Sequence, residues 1–196
     1  MKSLVVDETK YRANLGSLLY LAKTVRPDIA AEVSMCAQFS VSPDAAADAR
    51  VDRIMRYIAG SVDRGLRFRR GALEVQVYTD ADGQMDVSRR PRYGYVVLVG
   101  GTPCLWTSSL AHIVTMSTGE SELVAVAETV KMLLWYCDIL EFVGIAVQRP
   151  QVVYSGKQSA VFMAADSSAF RRAKHFDIRY LFVLQHCGEG GRFSVE

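Results

Sequence analysis

Residues 73–82 read Leu73-Glu74-Val75-Gln76-Val77-Tyr78-Thr79-Asp80-Ala81-Asp82, and this stretch decides the fold class. Apolar Leu73, Val75 and Val77 alternate with polar Glu74 and Gln76, the period of two expected of a strand with one buried face. Tyr95-Val96-Val97-Leu98-Val99 and Cys104-Leu105-Trp106 follow around Gly100-Gly101, which predicts a three-strand antiparallel meander. Downstream, Ser117-Thr118-Gly119-Glu120 fits a helix capping box. Leu123, Val126, Ala127, Val130, Leu133, Leu134 and Cys137 then mark one face of a long helix running to about Phe142. Val152-Val153-Tyr154 reads as a strand, residues 159–165 as a short helix, and residues 175–187 as a further helix that stops at Gly188. Arg192-Phe193-Ser194-Val195 begins a fifth strand, so the order is βββαβααβ.

Upstream the period is helical. Leu15, Leu18, Leu19 and Ala22, then Ile29, Val33 and Ala37, then Val51, Ile54, Met55 and Ile58 predict three helices. Arg26-Pro27-Asp28 and Ser42-Pro43-Asp44 separate them, and Gly60 ends the third. The expected division is a small helical segment over residues 1–70 and an α/β domain over residues 71–196 with a mixed five-stranded sheet and flanking helices.

Composition narrows the function. With 23 basic and 21 acidic residues the net charge is only +2, so any nucleic-acid surface is local. Cys36, Cys104, Cys137 and Cys187 lie far apart without a C-x-x-C pair, which argues against a zinc site or a disulfide framework and for reduced thiols inside a cell. No signal-peptide core opens the chain, and no apolar run reaches the length of a membrane span. The expectation is an intracellular protein, cytoplasmic or nuclear, without membrane attachment.

Six strings in one order carry a family resemblance. They are residues 11–30 (YRANLGSLLYLAKTVRPDIA), residues 55–66 (MRYIAGSVDRGL), Tyr78 to Asp82, the Gly-Tyr plus Trp106-Thr107-Ser108 segment, residues 117–123 (STGESEL), and Lys174 to Tyr180 (KHFDIRY). Together they resemble copia-type retrotransposon polyproteins, from the end of the reverse transcriptase into the RNase H domain. The resemblance implies that residues 1–70 are a connection-like helical tail without polymerase acids, and that residues 71–196 are RNase H-like, stopping before that fold's last helix. It also implies Mg²⁺- or Mn²⁺-dependent cleavage of RNA in an RNA/DNA hybrid, with four carboxylates holding two ions. Clustered acids repel one another, and divalent cations with oxygen ligands relieve that repulsion.

By the same resemblance Asp80 matches the acid that bridges both metals, and Glu122 matches the second. The third family acid falls where this chain has Gly156, followed by Lys157, whose charge opposes a cation. The fourth lies on a helix beyond the fifth strand, whereas the sequence stops at Glu196. Asp177 is a doubtful substitute, because it also suits a helix start, where an acid is favoured for structural reasons. Arg89, Arg90, Arg92, Ser108, Arg171 and Lys174 are candidate nucleic-acid contacts; ordinary solvated side chains are the alternative. Arg64, Arg67, Arg69 and Arg70 carry the same two readings.

Other residues have plainer explanations. Asp80 and Asp82 also read as turn residues, Glu120 as a cap partner, and Trp106 and Trp135 as core. The expected function is thus an RNase H-like fragment with impaired or lost hybrid cleavage and residual nucleic-acid binding. The alternatives are an active hybrid ribonuclease using Asp177 or Asp82, and a host-retained module for protein contacts. An unpaired fifth strand would invite self-association through the sheet edge.

Overall fold

A computed structural model of the chain describes residues 6–82, 90–115, 117–156, 177–188 and 190–196. The expected helix over residues 159–165 lies outside them, as do Arg89, Lys157, Arg171 and Lys174. The chain divides into two compact units, Met1–Arg67 and Phe68–Glu196.

The first unit is helical. Helix α1 (Glu8–Thr24) starts at Asp7, whose carboxylate accepts from the Thr9 and Lys10 amides at 3.0 and 3.1 Å. A single 3-10 turn at Pro27–Ile29 leads into α2 (Ala30–Ala37). Helix α3 (Ala45–Ala59) is capped by Asp44, which accepts from the Ala47 amide at 2.7 Å. Both proline breaks fall where the sequence puts them, because proline restricts its predecessor; after Pro43 the aspartate caps the next helix, whereas after Pro27 Asp28 accepts from the Arg26 and Tyr57 side chains and caps no helix. The core takes Tyr11, Leu15, Leu18 and Ala22 from α1, Val33 and Cys36 from α2, and Ala47, Val51 and Ile54 from α3. Met55, expected inside, is exposed; the buried stripe of α3 runs i, i+4, i+7 from Ala47 and passes it by.

The second unit is an α/β structure built on a five-stranded mixed sheet in the order β3-β2-β1-β4-β5. Strands β1 (Val75–Asp82), β2 (Arg92–Val99) and β3 (Thr102–Leu110) form the antiparallel meander. Helix α4 (Thr118–Phe142) leads to β4 (Gln151–Ser155), which lies parallel to β1. Helix α5 (Asp177–Cys187) leads to β5 (Phe193–Val195), parallel to β4. Parallel neighbours need such crossovers, since a tight turn cannot join them.

Val75, Val77, Val97, Val99 and Val153 of the sheet pack with Leu123, Val126, Val130 and Leu133 of α4 and Val183 of α5. Two expectations change here. Trp135 is 62% exposed, because the second half of α4 buries only the stripe of Leu133, Cys137 and Leu140, and Trp135 falls beside it. The fifth strand is hydrogen-bonded to β4, with Phe193 and Val195 buried, and is paired on that side as the last strand of the sheet order.

Candidate carboxylate site

Strand alternation fixes which way each site residue faces. In β1, Val75, Val77, Thr79 and Ala81 are buried, whereas Tyr78, Asp80 and Asp82 are exposed on the opposite face. Asp80 pairs with Gly94 of β2, and Gly94 pairs with Ser108 of β3. On its other side Tyr78 pairs with Tyr154 and Thr79 with Ser155, so the next residue along, Gly156, comes beside Asp80. A Cβ on Gly156 would stand 3.3 Å from Asp80 Oδ1 and 3.8 Å from its Cγ. Ser108, Gly94, Asp80 and Gly156 thus form one row across the sheet. The neighbouring row contains Trp106, Val96, Tyr78 and Tyr154, and its two tyrosine rings stack with centroids 5.2 Å apart at 26°.

Helix α4 is tied to the same part of β1 from the opposite face. Ser117 Oγ accepts from the Glu120 amide at 3.2 Å, as half of the expected capping box requires, and Thr115 Oγ1 lies 2.8 Å from Ser121 Oγ. Two turns beyond Glu122, Thr129 Oγ1 donates to Thr79 Oγ1 at 2.8 Å, with the Ala125 carbonyl at 2.7 Å as its alternative acceptor. Thr79 Oγ1 in turn donates to the Gly94 carbonyl at 3.2 Å. Glu122 is fully buried on the α4 face that carries Thr129, in a run from Glu120 to Ala127 with no exposed residue.

Asp80 and Gly156 are therefore brought together, while Glu122 belongs to the face that Thr79 lines. Asp177 opens α5, and its side chain lies outside the described residues. Arg90 is exposed; Arg92 and Ser108 are half-buried, Arg92 opposite Asp82 in the sheet register. A pair of divalent ions needs several oxygen donors converging on one point. Among the described residues no three of His, Cys, Asp and Glu come together in that way. The described residues of the row around Asp80, with glycine beside it, do not fit a two-ion centre.

Cys137 and Cys187 offer no activated nucleophile, because burial pushes the first up to about 11 and the second up to about 12. What the motifs did not reveal is the correspondence between two strand ends. Tyr78-Thr79-Asp80 and Tyr154-Ser155-Gly156 are in-register neighbours with the same tyrosine and hydroxyl positions, so the third position of each string faces the same side. That repeated Tyr-hydroxyl pattern was the available signal.

No family model matches the chain. The "Retrovirus-related Pol polyprotein from transposon RE1" of Arabidopsis thaliana is 36% identical over 191 residues, covering 95% of this chain. The chain is homologous to a stretch of the copia-type retrotransposon Pol polyproteins. It spans 13% of the length of that relative. It is also 33% identical over 127 residues to "Secreted RxLR effector protein 161" of Plasmopara viticola, covering 64% of this chain and 89% of the effector. Among solved structures, a foamy viral protease-reverse transcriptase in complex with RNA/DNA hybrid matches at a TM-score of 0.45 and 9% identity, covering 98% of this chain and 26% of the viral one. The RNase H-like assignment stands on the strand order and the polyprotein kinship. No helix among the described residues is long and apolar enough to cross a membrane.

Proposed function

We propose that residues 71–196 are the RNase H-like module of a copia-type polyprotein in which hybrid cleavage is impaired or lost and nucleic-acid binding remains. Residues 1–70 are, in the same reading, the helical tail of the reverse transcriptase. The observation that carries the proposal is the 3.3 Å approach of a Gly156 Cβ position to Asp80 Oδ1. A carboxylate at 156 would adjoin Asp80 and form with it the start of a divalent-ion site; glycine leaves Asp80 without that neighbour. Asp80 and Glu122 are then what remains of the family's acid set. Mg²⁺ or Mn²⁺, held by a complete set, would activate water and stabilise the leaving oxygen.

The test is incubation of the purified chain with a labelled RNA/DNA hybrid and Mg²⁺ or Mn²⁺, alongside Asp80→Asn and Gly156→Asp. The unmodified chain is expected to leave the RNA intact. Gly156→Asp should bind Mn²⁺ roughly tenfold more tightly than the unmodified chain by calorimetric titration, since affinity follows the number of charged ligands. Asp80-dependent cleavage by the unmodified chain would overturn the proposal in favour of a substitute carboxylate such as Asp177.

A second reading, a module kept for protein contacts, is supported by the likeness to the Plasmopara effector, most of whose length this chain covers. It predicts a stable complex in a cell-extract pull-down and no salt-dependent affinity for hybrid.

A further inference from the structure

Between α3 and β1 the chain passes through residues 61–74 without helix or strand. Residues 64–73 read RGLRFRRGAL, four arginines and no acid. Arg64, Arg67, Arg69 and Arg70 are all exposed, and Phe68 between them is 70% exposed. Without these four arginines the chain has 19 basic against 21 acidic residues, so its positive excess resides in this run. Solubility accounts for exposed arginines. Phe68 is one of several large apolar side chains left open, and it differs from Val41, Val62 and Phe142 in having an arginine on each side, Arg67 and Arg69.

Guanidinium groups beside an open aromatic ring fit a nucleic-acid strand. Arginines meet phosphates and release counterions, and the ring accepts a base on its face. The row around Asp80 offers the opposite surface, since exposed Asp80 and Asp82 repel phosphate. Stacking on a ring requires an unstacked base, which selects a single strand over a duplex. An anionic membrane also attracts arginines, but one aromatic anchor gives only marginal attachment there. Arg64 Nη1 donates to Tyr57 Oη at 3.4 Å and is drawn toward α3.

We propose that this connecting segment holds single-stranded nucleic acid, with Arg67, Arg69 and Arg70 on phosphates and Phe68 beneath a base. The proposal rests on the nucleic-acid reading above and is a property of one chain segment, independent of how the two units are arranged.

The experiment is fluorescence anisotropy of a labelled single-stranded oligonucleotide with the full chain across a salt series. Its variants are Arg67→Gln/Arg69→Gln/Arg70→Gln, Phe68→Ser, and a charge-matched control, Arg12→Gln/Lys23→Gln/Arg53→Gln, at exposed helical positions. Loss of three phosphate contacts should flatten the slope of log affinity against log salt by about 2. Phe68→Ser should weaken binding roughly tenfold with the slope unchanged. The control should bind as the unmodified chain does. Equal losses in the arginine triple and the control would overturn the segment assignment while leaving nucleic-acid binding intact. Absence of binding by the unmodified chain, or binding only to phosphatidylserine vesicles, would overturn both. All substitutions lie on exposed side chains, and circular dichroism confirms that each variant is folded before titration.

Discussion

Arg26 in the helical unit and Asp80 in the sheet unit are each a charged side chain at a junction of elements, and their surroundings differ. Arg26 is 4% exposed and makes four side-chain hydrogen bonds. Its Nε and Nη2 donate to the two Asp28 oxygens at 2.9 and 2.8 Å, and Nη1 and Nη2 reach the Ser61 carbonyl and hydroxyl at 3.1 and 2.9 Å. Tyr57 donates to Asp28 Oδ2 at 2.9 Å, and its ring centroid lies 5.4 Å from the Arg26 Cζ. The guanidinium holds the Asp28 carboxyl below its ordinary range. Around Asp80 the sheet register is equally well formed, yet the position beside its carboxylate is glycine. One charge is held by a dense set of hydrogen-bond partners, whereas the other stands on an exposed strand face with no side chain at the neighbouring position. Fold and activity make separate demands on the sequence, and substitutions at the two places test them separately.

Breaking the Arg26 centre should have the largest effect. Arg26→Met removes a buried cation, leaves the Ser61 carbonyl without that donor and leaves Asp28 with the Tyr57 hydroxyl alone, which is expected to cost about 3 kcal/mol. Urea unfolding followed by far-ultraviolet circular dichroism reads this directly. A loss below about 1 kcal/mol would mean that water replaces the guanidinium and that the network contributes little.

The buried phenol of Tyr11 tests the same unit by pH. Its hydroxyl donates to the Cys36 carbonyl at 2.7 Å, and burial pushes its pKa up to about 12 from the ordinary value of 10.0. A raised folded-state value means that the contribution is fully present below pH 10 and is lost as pH rises through about 12. Two units correspond to about 2.7 kcal/mol, an upper figure for this window. Tyr11→Phe should be less stable at neutral pH because the Cys36 carbonyl loses its donor, and its alkaline decline should be shallower. An unchanged alkaline decline in that variant would assign the transition to other groups.

Much of the architecture was legible because its signals are local. Pro27 and Pro43 with the aspartates that follow them, the alternation from Leu73 to Val77, and the cap at Ser117 each act within a few residues. Asp80 was found in the same way, at a strand end within a recognisable string. The burial of Glu122 was not legible, because it depends on how α4 seats on β1 through Thr129 and Thr79, 50 residues apart in sequence. The exposure of Trp135 and the Tyr78–Tyr154 stack escaped for the same reason. Helical period shows that a face exists without saying where along the helix the sheet ends, and a parallel register between β1 and β4 leaves no trace in either strand alone.

The smallest effect is the one that most sharpens the contrast between the two centres. Gly156→Asp places a second carboxylate beside Asp80, and two like charges about 4 Å apart in a solvated setting repel by about 1 kcal/mol. In chelator at pH 7 the variant should therefore be less stable than the unmodified chain by about that amount. Protonation removes the repulsion, so the deficit should disappear as pH falls below the carboxylate range. Millimolar Mg²⁺ should also remove it, since a divalent cation between two carboxylates turns the repulsion into attraction, and it should leave the unmodified chain unchanged. Equal stabilisation of both proteins by Mg²⁺ would show that the ion acts elsewhere and that the row around Asp80 is no remnant of a metal centre. A deficit that persists at acid pH would trace to crowding of the new side chain rather than to its charge.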